Sequence, residues 1–186
     1  CIRDRLGPDS QVIEYTLSGK QIQSWKLKGH CDGLTADVAK DRLIATVNED
    51  GNSSLYVIHP SAAPDKQVTH YSYSENPLPS GGGTDSIAFW HGLMLISASS
   101  PNPAPANVPA VYVVHLDKAR GVADVSPFFS DMGQALVLNS NSPDQGKLVT
   151  LGLTDPDSSE VVPDGFGSLS GDFVLDSQGD EEQIYV

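Results

Sequence analysis

The sequence predicts an all-β fold, and three observations carry the prediction. Apolar residues come in short, strand-sized blocks rich in Val, Ile, Leu, Tyr and Thr, the residue types that suit a pleated, half-buried surface. Turn-forming clusters separate the blocks, drawing on 17 Gly and 13 Pro. No window of about a dozen residues holds the i, i+3, i+4, i+7 spacing of an amphipathic helix.

Taken in order, residues 11–17 and 22–27 flank the turn Leu17-Ser18-Gly19-Lys20 and read as a hairpin. Residues 42–47 and 55–59 are dense apolar blocks on either side of Glu49-Asp50-Gly51-Asn52. Residues 68–73 end before the cluster Ser80-Gly81-Gly82-Gly83, and 86–90 and 93–97 follow it. The stretch 101–109 is too rich in proline for a strand and reads as a long loop within the domain. Strands then resume at 111–116, 121–129, 135–139 and 147–153. The cluster Asp155-Pro156-Asp157-Ser158 reads as a loop, and strands at 173–176 and 183–186 complete the series.

The strands repeat in units. One unit runs Asp32-Gly33-Leu34-Thr35-Ala36-Asp37, then 42–47, a polar loop at 48–53, then Leu55-Tyr56-Val57-Ile58-His59. A second starts 53 residues later, at Asp85, with 93–97 and 111–116 in matching places. A weaker third uses 135–139, 147–153, the loop 154–159 and Glu160-Val161-Val162. A fourth starts at Asp172 and stops at Val186, and residues 3–27 supply the strands it lacks. A spacing of about 46 residues per four-stranded unit is that of a β-propeller blade. The expectation is a single domain, 1–186, built as a β-propeller of four-stranded antiparallel blades. It holds about four blades' worth of sequence and forms part of a larger ring, with residues 183–186 and the N-terminal stretch in or beside the same blade. Trp25, Phe89, Trp90, Phe128 and Phe129 then read as packing between blades.

A formal charge of −13 with no basic cluster argues against nucleic acid and anionic membranes as partners. The apolar runs are too short for a membrane span. After Lys147 there are nine Asp and Glu and no Lys or Arg, which reads as a solvated acidic surface or a cation-attracting face. The chain begins Cys1-Ile2-Arg3, without Met or a signal-like segment, and reads as a processed product or an excised piece. Cys1 and Cys31 are either two thiols or one disulfide, the latter feasible if the two ends share a blade. Asn52-Ser53-Ser54 is a glycosylation sequon. These features point to an extracellular or cell-surface protein.

The stretch His30-Cys31-Asp32-Gly33-Leu34-Thr35-Ala36-Asp37, with Arg42-Leu43-Ile44-Ala45-Thr46-Val47-Asn48 and Ser54-Leu55-Tyr56-Val57-Ile58, resembles a blade of the NHL and SMP-30 (gluconolactonase-like) propellers. The resemblance implies a ring of six or seven blades. In its lactonase branch it implies a metal held by a Glu, one or two Asn and an Asp, and the early Glu is not visible in this chain. Repeat position places Asp32 and Asp85 at equivalent starts of innermost strands, with Asn48 at the end of a neighbouring one. Oxygen ligands of this kind suit Ca²⁺ or Mg²⁺, and the plainer reading has the same side chains cap turns. His30 lies on that face as a candidate general base. The segment Asp176-Ser177-Gln178-Gly179-Asp180-Glu181-Glu182 resembles a Ca²⁺ loop, with its glycine at the fourth place instead of the sixth. No G-x-S-x-G elbow, H-E-x-x-H or phosphate loop occurs. Two functions follow as expectations. The first is a ligand-binding or scaffold module for a small molecule or protein. The second is a metal-dependent lactonase- or esterase-like hydrolase using Asp32, Asn48 and Asp85.

Overall fold

The computed structural model describes residues 2–3, 9–47, 52–79, 81–99 and 107–186. The chain is all-β, and its described residues form four sheets. Strands β1 (Ile2–Arg3), β2 (Ser10–Tyr15) and β3 (Gln21–Leu27) form an antiparallel sheet of three. Strands β4 (Cys31–Asp37), β5 (Arg42–Val47), β6 (Ser54–Ile58) and β7 (Val68–Tyr73) form an antiparallel meander. A second meander comprises β8 (Thr84–Trp90), β9 (Leu93–Ala98), β10 (Pro109–Asp117) and β11 (Val122–Ser130). A short parallel contact, Val122 with Ser72 and Ala123 with Tyr73, joins the two meanders into one eight-stranded sheet. Strands β12 (Gln134–Leu136) and β13 (Leu148–Thr150) make a hairpin, and β14 (Pro156–Val161), β15 (Phe173–Ser177) and β16 (Glu182–Tyr185) make a last sheet of three. Among the described residues no helix is long and apolar enough to cross a membrane.

Local chemistry explains these elements. Every residue of β6 is buried, which accounts for its uninterrupted apolar run. In β7 Tyr71 and Tyr73 point inward while His70 and Ser72 stay exposed, the alternation of a half-buried strand. His91 and Gly92 both take positive φ, 47° and 80°, as the two-residue turn between β8 and β9 requires. Pro127 sits inside β11 beyond the short contact with β7, where no second neighbour needs its missing N–H.

Among the described residues burial falls into three clusters, each between neighbouring groups of strands. Val12, Trp25 and Leu27 of the first sheet pack on Ala45, Val47, Tyr56 and Ile58. Ile44, Leu55, Val57 and Tyr71 of the first meander pack on Ile87, Met94, Ile96 and Tyr112 of the second. Leu95 and Val111 pack on Phe173, Leu175 and Ile184 of the last sheet. Trp90, Phe128 and Phe129 lie in this third region, and Trp90 Nε1 donates to the Gly171 carbonyl at 2.8 Å. Phe89 packs against the middle cluster, beneath the Arg42 guanidinium at 6.0 Å. These aromatic residues therefore pack in the three apolar clusters.

The eight-stranded sheet is nearly closed, because its two outermost strands, β4 and β8, come back together. Gly33 N donates to Thr46 Oγ1 at 2.8 Å, and that hydroxyl donates to the Asp85 carbonyl at 2.6 Å. A Cβ on Gly33 would stand 1.9 Å from that carbonyl oxygen and 2.6 Å from the Thr46 hydroxyl. Only glycine permits this approach.

Two sequence expectations are corrected. Residues 135–139 and 147–153 do not open a third repeat. They form the β12–β13 hairpin, and Pro156–Val161, a loop by its sequence over most of its length, supplies the strand that packs on β8. Proline at the first position of a strand costs no ladder bond. The expected sharing of a blade by the two ends is also not seen. Among the described residues β16 pairs with β15 alone and β1 with β2 alone, in separate sheets.

Gly33→Ala is expected to destabilise the protein by about 3 kcal/mol or more, because backbone stands where the methyl would go. Thr46→Val, which removes both buried bonds with little change of volume, is expected to cost about 2 kcal/mol. Urea unfolding followed by tryptophan fluorescence measures both.

Candidate functional site

The starts of β4 and β8 lie side by side, and the end of β5 joins them there. This end of the sheet is polar inside. Besides the Gly33–Thr46–Asp85 chain, Tyr73 Oη and Thr84 Oγ1 bond at 2.8 Å, and Ser86 N donates to Ser97 Oγ at 3.0 Å. Full burial pushes the Tyr73 phenol well above its ordinary value, so it serves as a neutral hydrogen-bonding group. Thr46, Thr84 and Ser97, all buried, are polar positions absent from the site that the sequence predicts. Thr46 stands out inside the apolar run Leu43–Val47, and that contrast is the one signal that marks it.

The predicted site residues are placed here unequally. Asp85 is buried at the second position of β8, whereas Asp32 is exposed on β4 and His30 is half-buried just before it. Asn48 and Cys1 lie outside the described residues. Among the described residues, no three of His, Cys, Asp and Glu stand close enough together to hold a metal ion. Cys31 is a free thiol whose Sγ contacts the Gly33 carbonyl at 3.6 Å. Burial pushes it up to about 11, so it is protonated at neutral pH and a poor nucleophile.

Two cavities are found among the described residues, and neither is lined by Gly33, Thr46 or Asp85. A pocket of about 410 Å³ includes Asp9, Lys28, Tyr56, His70 and Asn76 in its lining, and the His70 ring lies 4.6 Å from that of Tyr56. A larger open groove of about 1370 Å³ runs between the β12–β13 hairpin and β16. Its walls combine apolar side chains, among them Phe128, Leu136 and Leu138, with the carboxylates of Asp176, Glu181 and Glu182.

The acidic segment 176–182 is a turn held by its own carboxylate. Asp180 accepts Thr154 N and Thr154 Oγ1, each at 2.7 Å, and Ser177 Oγ at 2.5 Å. Burial raises the Asp180 carboxyl, and these donors together outweigh it and hold the group below its ordinary value. Glu182 and Asp157 shift the other way. Burial lifts Glu182, with Asp180 adding repulsion, and burial lifts Asp157, with Asp155 and Asp176 adding theirs. The resemblance to a Ca²⁺ loop thus resolves, at Asp180, into a staple between the β15–β16 turn and Thr154.

No protein-family model matches the chain. No curated protein matches it. A solved structure of hydrazine synthase from Kuenenia stuttgartiensis is similar to it, with a TM-score of 0.53 at 12% identity over 98% of this chain. The chain spans 56% of that neighbour's length, and the likeness bears on the fold alone.

Opposite shifts give opposite pH dependences. Asp180 contributes stability above the unfolded carboxyl pKa of about 4 and loses it as pH falls further. Asp180→Asn is expected to lower stability by about 1–2 kcal/mol at pH 7, with the difference shrinking below pH 4. Glu182 favours its protonated form in the folded state, so its ionisation opposes folding once pH rises above about 4.5. Glu182→Gln is expected to raise the thermal midpoint at pH 7 and leave it unchanged near pH 4. Scanning calorimetry at the two pH values checks both.

Proposed function

We propose that the chain is a run of β-propeller blades of the NHL and SMP-30 kind, serving outside the cell or at its surface as a ligand-binding or scaffold module. The observation that carries this reading is the pair of consecutive four-stranded antiparallel meanders whose first strands meet at Gly33, Thr46 and Asp85. Repeated meanders stacked face to face suit a propeller, in which each blade buries its faces only against its neighbours. The loops before β4 and β8 then form one edge of the channel mouth, where propellers take their ligands. The sequon residue Asn52 is exposed in the turn before β6, which suits a secreted protein.

A second reading, a metal-dependent lactonase- or esterase-like hydrolase, draws on the burial of the Asp85 carboxylate beside that mouth. Asp32, Asn48 and Asp85 would hold Ca²⁺ or Mg²⁺, with His30 as general base.

Calcium separates the two. The module reading predicts that millimolar CaCl₂ leaves the thermal midpoint unchanged from that in EGTA and that no lactone is hydrolysed. A calcium-dependent rise that disappears in Asp32→Ala and Asp85→Asn, together with calcium-dependent lactone hydrolysis, overturns it in favour of the enzyme.

A further inference from the structure

An aspartate followed by glycine can react with itself, because the glycine nitrogen can reach the carbon of the preceding carboxyl. Glycine brings no side chain to shield that nitrogen and lets the backbone turn toward the carboxyl. The dipeptide occurs at Asp32-Gly33, Asp50-Gly51 and Asp164-Gly165. Asp50-Gly51 lies outside the described residues. The fold gives the other two opposite surroundings.

Asp32 and Asp164 are both exposed, so access to the carboxyl does not separate them. The nitrogens do. Gly33 is buried in β4, and its N–H donates to Thr46 Oγ1 at 2.8 Å. The pairs Cys31 with Val47 and Leu34 with Ala45 hold the strand on either side of it. The Asp85 carbonyl oxygen stands only 1.9 Å from where a Gly33 Cβ would be. The nitrogen cannot approach the Asp32 carboxyl until this contact opens.

Asp164-Gly165 lies in the connection between β14 and β15. The base of that connection is closed by Val162 N to Asp172 O and Gly171 N to Val162 O, each at 2.9 Å. Further out, Phe166 N donates to Ser170 Oγ at 2.9 Å. Between these bonds the Gly165 N–H has no acceptor among the described residues. Gly165 is exposed at a φ of 96°, and nothing lies within 4 Å of where its Cβ would stand. Its backbone can therefore rotate without breaking a bond or meeting a neighbour.

We propose that Asp164-Gly165 is a self-modifying site at which the folded protein forms a succinimide and then an isoaspartate. Gly165 N bonds to Asp164 Cγ, and a carboxyl oxygen leaves as water with the amide proton and the proton of the carboxyl group. A water molecule then adds to one of the two ring carbonyls. Opening at Cγ restores aspartate. Opening at the main-chain carbonyl leaves the chain running through Cγ, one carbon longer, with the α-carboxylate as the side group. Isoaspartate has the composition of aspartate, so no oxidant or reductant takes part. The added carbon falls outside the β14–β15 ladder, between the bonds that close the base of the connection.

The test stores the full chain at neutral pH and body temperature for several weeks. Peptides are then scored for isoaspartate by electron-transfer fragmentation and by labelling with an isoaspartyl methyltransferase. Isoaspartate at Asp164 is expected to exceed that at Asp32 at least about tenfold, because Gly33 reacts only through local opening. In concentrated urea the two dipeptides lose their different surroundings, and the ratio is expected to fall to about twofold. Asp164→Glu keeps the charge but requires a six-membered ring, and is expected to abolish the signal at that position while leaving Asp32 unchanged. Equal modification of Asp32 and Asp164 in the native protein overturns the proposal, as does an unmodified Asp164 when both react in urea. A ratio that persists in urea also overturns it, by assigning the difference to flanking sequence instead of the fold.

Discussion

A single close approach sets the geometry of the eight-stranded sheet. Gly33 has no side chain, so the Asp85 carbonyl can occupy the space where a Cβ would stand, and Thr46 bridges the two strands with a bond given and a bond received. The meanders touch at opposite ends of their strand order: β4 meets β8 here, and β7 meets β11 through two residue pairs. Between these contacts lies the middle hydrophobic cluster, with Ile44, Leu55, Ile96 and Tyr112 shielded from water. Loosening the first contact would open that cluster from the side that carries the polar chain.

The other two clusters repeat the arrangement outward, one on each flank. Each sheet has more apolar surface than it can hide alone, and a neighbour on each exposed face supplies what is missing. Charged groups take part where strands turn. Arg42 donates to Asp37 at 2.9 Å from two nitrogens while its guanidinium lies above Phe89, so one residue ties the β4–β5 turn to β8. Asp180 does related work for the last sheet by accepting three donors from Thr154 and Ser177.

What is legible in the sequence follows from what each strand buries. Strands β5, β6 and β9 are enclosed on both faces, and their unbroken apolar runs mark their true ends within a residue or two. Strand β14 is hidden because it begins with Pro156 and shows Ser158 and Glu160 to solvent, leaving no apolar alternation to see. The hairpin β12–β13 misleads in the opposite sense: Leu136, Leu138 and Leu148 look like core and stand in the open. At the candidate site Asp85 is legible through the repeat, but its partner in the close approach is a glycine, and Thr46 is marked only by its contrast with the apolar residues around it.

Among the described residues, every strand pairing except that of β7 with β11 joins elements adjacent along the chain. Ladders of this kind close short loops, so the entropy lost in forming each one is small. Local ladders with non-local stacking separate folding into two kinds of event. A meander can register its hydrogen bonds as soon as its own residues have left the ribosome, while its apolar face waits for the next sheet to be synthesised. The interval between the two is when exposed faces such as those of β6 and β9 are open to the wrong neighbour, and rapid synthesis of the following sheet shortens it.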